Sequence, residues 1–125
     1  LLQTHSTNPF LSVATVESAI NRFYAKENDC DSVFGVTRLQ ARLWTADGKA
    51  VNHDPAVLLR TQDLDLIYLE NSCFYIFTPQ ILRERGNRIG ARPLLVETPP
   101  LEAIDIDEES DFQLAIAVAE MQSGK

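Results

Sequence analysis

Asp105 and Asp107 stand two apart in AIDIDEESDF, residues 103–112, in an otherwise apolar run just ahead of a helix-like segment. If Ala103-Ile104-Asp105-Ile106-Asp107 is extended, both carboxylates project to one face and Ile104 and Ile106 to the other. Two carboxylates held together repel unless a proton or cation lies between them, and hard oxygen donors with room for water suit Mg²⁺ or Mn²⁺. The competing reading is structural: Asp107 caps the last helix, Glu108 and Glu109 favour its positive end, and Asp105 is solvated. The two overlap, because a helix N-terminus beside a metal also favours bound phosphate.

A second set of polar residues, Arg60, Gln62, Glu70 and Asn71, leads into the apolar run of RTQDLDLIYLENSCFYIF. Asn71 at its mouth either bonds a ligand or satisfies a turn. Tyr75 inside it reads as a core residue whose hydroxyl needs a partner. A third, QTHSTNPF, offers hydroxyls, an amide and His5 to a polyhydroxylated ligand, or forms an ordinary loop. His5, His53, Cys30 and Cys73 lack the short spacings of a zinc site, and no GxSxG elbow supports a serine triad.

The elements that must position these residues follow from pattern. Ser12 is a cap for a helix with Val16, Ala19, Ile20 and Phe23 on one face, ending at Asn28-Asp29. DSVFGVTRL reads as a strand, and ADGK at 46–49 as a hairpin turn between strands. Residues 43–69 lack helical period and form an irregular excursion. NSCFYIF, 71–77, is apolar throughout, as in a central strand covered on both faces. Pro79 opens a short helix that Gly86 ends, PLLVET is a strand broken by Pro99-Pro100, and Phe112, Ala115, Ile116 and Ala119 give the last helix an amphipathic face. Alternating strands and helices predict an α/β fold, a three-layer sheet with chemistry at strand ends and loops.

With 125 residues, 45% of them hydrophobic, the chain suits one domain. Its opening LLQ resembles the end of a buried strand, so a fragment of a longer protein is expected. A net charge of −7 argues against a nucleic-acid surface, which needs clustered Lys and Arg. No stretch approaches a membrane span, and two unpaired cysteines suit a reducing cytoplasm.

In this order, LLQTHSTNPFL, DSVFGV, RTQDLDLIYLENSCFYIF and IDIDEESDF before a closing helix, the chain resembles the C-terminal half of the acylneuraminate cytidylyltransferases, the CMP-sialic acid synthetases. The resemblance spans nearly the whole chain and implies a Rossmann-like nucleotidyltransferase sheet with its N-terminal half absent. It implies that the anomeric hydroxyl of a sialic-acid-like sugar attacks the α-phosphate of CTP, giving a CMP-sugar and pyrophosphate. Asp105 and Asp107 match the family's Mg²⁺-binding pair, while Gln3, Asn71 and Tyr75 match residues of its sugar site. Residues 43–69 correspond to a dimerisation extension, so a homodimer is expected, with Arg42 and Arg60 as candidates to pair the sugar carboxylate.

The departures are specific. Thr-His-Ser-Thr-Asn-Pro replaces a shorter Pro-Thr-Ser-Pro loop, and Ser72 stands where a glycine usually follows the asparagine. Both touch the sugar pocket and open the choice of sugar to related ulosonic acids. The family's glycine-rich basic loop for CTP phosphates is not among these residues, so the 125 residues alone are expected to be inactive. The alternative from another class is a non-catalytic relative, an α/β interaction domain that keeps the sheet and the extension.

Overall fold

The apolar run Asn71–Phe77 lies within the longest of the described strands. In a computed structural model that describes residues 1–124, it forms the second part of β3 (Ile67–Phe77), and Cys73 to Phe77 are all buried. Continuous burial on both faces explains why no polar residue interrupts it. The described strands make one four-stranded sheet in the order β1 (Leu2–Thr4), β3, β2 (Ser32–Leu39), β4 (Pro93–Glu97), so β3 is an inner strand, as its composition predicts. β1 runs antiparallel to β3, with Gln3 opposite Tyr75, and β4 runs parallel to β2, which makes the sheet mixed. With three α-helices among the described residues, the fold is mixed α/β.

The chain divides into two units, residues 1–37 with 70 onward, and Arg38–Leu69. The first holds the principal core: Ala19, Val33, Phe74, Ile76, Cys73 and Val96, with Leu11, Ile20 and Phe23 packed on it. Each fully buried aliphatic or aromatic side chain contributes about 1.5–3 kcal/mol. α1 (Val13–Tyr24) supplies Ala19, and its cap is Ser12, whose Oγ accepts from the Thr15 N–H at 3.1 Å. Glu102 reinforces that end from afar, accepting from the Ser12 N–H at 2.6 Å and the Thr15 hydroxyl at 2.9 Å. The helix stops at Tyr24, short of the expected Asn28, because the Asn28 side chain turns back to donate to the Arg22 carbonyl and a 3₁₀ turn (Lys26–Asn28) follows.

α2 (Pro79–Arg85) has Pro79 in its first turn and ends on Gly86 at φ 58°, the left-handed cap for which glycine is suited. α3 (Glu109–Gln122) departs from expectation in two ways. Its cap is Glu108, not Asp107: Glu108 and Asp111 form a reciprocal capping box. Of its expected apolar face only Ala115 is buried, together with Val118, while Phe112 and Ile116 stay exposed beside Pro9, Phe10 and Ile106 around an apolar hollow of about 250 Å³.

In the second unit, ADGK forms the expected turn, but its flanks are not strands. A single bridge joins Trp44 and Ala50, because the Asn52 side chain takes the next places, accepting from the Leu43 N–H and donating to the Ala41 carbonyl. β3 also starts at Ile67, four residues before the strand expected from Asn71 and inside the expected excursion. Among the described residues no helix is long and apolar enough to cross a membrane.

Candidate functional site

Residues directly opposite on antiparallel strands share a face, so the Gln3–Tyr75 register puts two of the site residues expected from sequence side by side. The Tyr75 ring is fully buried, and its hydroxyl donates to Glu70 Oε2 at 3.1 Å, with Ser72 Oγ 3.2 Å away. His5 meets the ring edge-on at 6.2 Å between centroids and Phe34 stacks on it at 6.3 Å. His5 Nδ1 donates to the Ser72 carbonyl, which can only accept, so Nδ1 carries a proton.

Above this ring lies a residue that sequence analysis did not single out. The Arg88 guanidinium carbon is 3.6 Å from the Tyr75 ring centre. Its loop, 87–92, is held at several points: Asn87 Oδ1 accepts from the N–H groups of Arg88 and Ile89, Gly90 N–H donates to Ser32 Oγ, and Ala91 and Arg92 N–H donate to the Asp31 carboxylate. Burial raises the Asp31 pKa, but the Ser32 hydroxyl, the two N–H donors and the Arg92 charge outweigh it and hold the carboxyl below its usual value. An Asn-led turn with a glycine three residues on was the only local signal available.

Asn71 is spent within the protein. Its Nδ2 donates to the hydroxyls of Thr98 at 2.8 Å and Thr37 at 3.1 Å, and its Oδ1 accepts from the Cys73 N–H, spanning Ser72 at φ 60°. Arg42 and Arg60 lie in the second unit, where Arg42 donates to the Leu59 carbonyl and Arg60 pairs with Asp63 at 2.8 Å.

The acidic pair differs from its expected geometry. Residues 100–103 form a 3₁₀ turn begun by the prolines, and 104–107 is not a strand. Residues 103–106 are all half-buried, so the isoleucines and aspartates do not separate into two faces, and Asp107 is exposed. The segment is tied to the QTHSTNPF loop by Ile106 N–H to the Thr7 carbonyl at 2.9 Å and Asn8 Nδ2 to the Ile104 carbonyl at 3.2 Å. Burial, then the charges of Asp105 and Glu102, pushes the Cys73 thiol up to about 11, which ties Asp105 to the neighbourhood of β3.

Two acceptor oxygens at this junction, Asp105 Oδ1 and Asn8 Oδ1, are buried without a donor. Hard acceptors lacking donors are what a Mg²⁺ site offers, and Mg²⁺ is commonly held by one or two carboxylates plus water and substrate phosphate. The donor set fits such an ion in that limited sense: among the described residues no cluster of three or more acids, histidines or cysteines forms a closed cage.

No family model and no curated protein matches the chain.

Proposed function

We propose that this chain carries the sugar and metal side of a Rossmann-like cytidylyltransferase that uses CTP and a sialic-acid-like ulosonic acid to give a CMP-sugar and pyrophosphate. The observation that carries the reading is the Gln3–Tyr75 register, which joins residues from two separate parts of the resemblance, LLQTHSTNPFL and RTQDLDLIYLENSCFYIF, on one sheet face. Ser72 adds to it. Its φ of 60° is a conformation that glycine adopts freely, at the position where the family it resembles has glycine.

In the proposed reaction the anomeric oxygen bonds to the α-phosphorus, the bond to the β-phosphate oxygen breaks, and pyrophosphate leaves. Asp105 and Asp107 would hold Mg²⁺, which when bound offsets the charge on the phosphates. Gln3 and Tyr75 orient the sugar, and a carboxylate of the acidic pair takes the sugar hydroxyl proton. The second unit supports the expected homodimer through exposed apolar residues, among them Trp44, Val57, Leu58 and Tyr68, with Leu58 97% exposed.

The test is pyrophosphate release from CTP and Mg²⁺ across a panel of sialic and other ulosonic acids, with and without chelator. It uses the polypeptide that joins these residues to the glycine-rich segment implied by the resemblance. Chelator-sensitive release with one acid supports the reading. A second reading, a non-catalytic α/β interaction domain, is favoured by the apolar hollow along α3 and by the internal engagement of Asn71 and Tyr75. Absence of release with every acid, from folded protein, selects it.

A further inference from the structure

The chain has 18 acidic and 11 basic residues, eight of them arginines, and among the described residues only Arg60 and Arg92 of these stand in an ion pair, so it is the placement of Arg88 rather than its lack of an acidic partner that sets it apart. The ion pairs among the described residues are Lys49–Asp47, Arg60–Asp63 and Arg92–Asp29. Arg88 is in none of them, and its guanidinium donates to no acceptor among the described residues. Yet it is half-buried and fixed over the Tyr75 ring rather than extended into solvent.

A guanidinium carries five donors and no acceptor, in a planar fork that matches a carboxylate. Stacking on the ring leaves the N–H edges free, and partial removal from water strengthens whatever anion they meet. The loop that carries Arg88 is pinned on both sides by Asn87, Ser32 and Asp31, so little ordering cost remains to be met on binding. Gln3, paired opposite Tyr75 in the sheet, and His5, at the edge of its ring, place further polar residues beside it. Arg42 and Arg60, by contrast, already spend their guanidinium groups on the Leu59 carbonyl and on Asp63.

We infer that Arg88, held over Tyr75, is the residue that receives the carboxylate of the small acid this protein binds. The identity of that acid as an ulosonic sugar rests on the proposed function; the role of Arg88 as a carboxylate receptor does not. Arg88 then sets specificity for acid over neutral sugar and is distinct from the metal-holding pair.

The experiment follows the Arg88 Nε–H resonance of the ¹⁵N-labelled chain while N-acetylneuraminate, its methyl ester, 3-deoxy-octulosonate, pyruvate and acetate are each titrated against sodium chloride. Arg88→Gln, Arg88→Lys and the double variant Arg42→Gln/Arg60→Gln are measured beside it, with circular dichroism to confirm folding. A saturable shift of Arg88 with the free sugar acid and not with its ester is expected. Arg88→Gln should weaken binding about ten-fold to one-hundred-fold, the size of a lost charged hydrogen bond, while the double variant binds as the parent does. Arg88→Lys keeps the charge without the fork and should fall between. A response to pyruvate and acetate but to neither sugar acid keeps the receptor and overturns the sugar reading. No saturable response of Arg88 to any carboxylate, or equal binding of acid and ester, overturns the inference itself.

Discussion

The Arg88 guanidinium carbon lies 3.6 Å from the centre of the Tyr75 ring, a contact between a loop and a buried strand that joins residues otherwise unrelated in sequence. It depends on the loop being held, and the residue that holds it most directly is Asp31, through the N–H groups of Ala91 and Arg92.

Asp31 makes this arrangement pH-dependent. Its folded pKa lies below the ordinary 3.8, so its contribution to stability is complete above that value and is lost as pH falls through the folded value. The Ala91 and Arg92 amide resonances should therefore move together below about pH 4, the ordinary aspartate range. Asp31→Asn should abolish that transition and cost about 1 kcal/mol in a denaturant melt, the lower end for charged bonds at a partly exposed site. An unchanged low-pH transition in the variant would point to another carboxylate.

Gly90 faces the same carboxylate. A Cβ built at this position overlaps the Asp31 carboxyl group, and the site is buried. Gly90→Ala should lower stability by about 1–3 kcal/mol, as overpacking does, and should shift the Arg88 Nε–H resonance because the loop is displaced. A neutral melt with an unmoved Arg88 signal would show that the loop is not anchored here.

Ser72 sits at φ 60° inside β3. A non-glycine residue in this region costs about 1 kcal/mol, and a β-branched one more. Ser72→Gly should melt at or slightly above the parent temperature, its relief offset by the lost hydroxyl near Tyr75, and Ser72→Val should melt clearly below it. Equal melting of all three would remove the strain argument.

Much of this fold was legible in the sequence. Unbroken apolar composition marks the inner strand at Cys73–Phe77, Ser12 and Pro79 mark helix starts, and Gly86 marks an end, because each depends on local backbone chemistry. Where long-range partners decide, local patterns mislead. Period-2 alternation suggested a strand at 103–107, yet Thr7 and Asn8 take its backbone groups. Arg88 was invisible because nothing within its own loop announces Tyr75, and the local pattern at Asn71 favours a turn over a ligand contact without naming Thr37 and Thr98 as its partners.

Cys73 offers a check on the core. Buried and pushed up to about 11, its thiol should resist iodoacetamide at pH 8 until the protein unfolds. Rapid alkylation in native buffer would mean that β3 opens readily.

The most direct measurement is turnover of Asp107→Asn against the parent in saturating CTP, sugar acid and Mg²⁺, in the polypeptide that includes the glycine-rich segment. Asp107 is exposed and the substitution removes charge with little change of shape, so folding should persist. The account predicts that pyrophosphate release falls by orders of magnitude with the circular dichroism spectrum unaltered. Unchanged release would contradict a metal-holding role for the acidic pair and, with it, the proposed chemistry of this site.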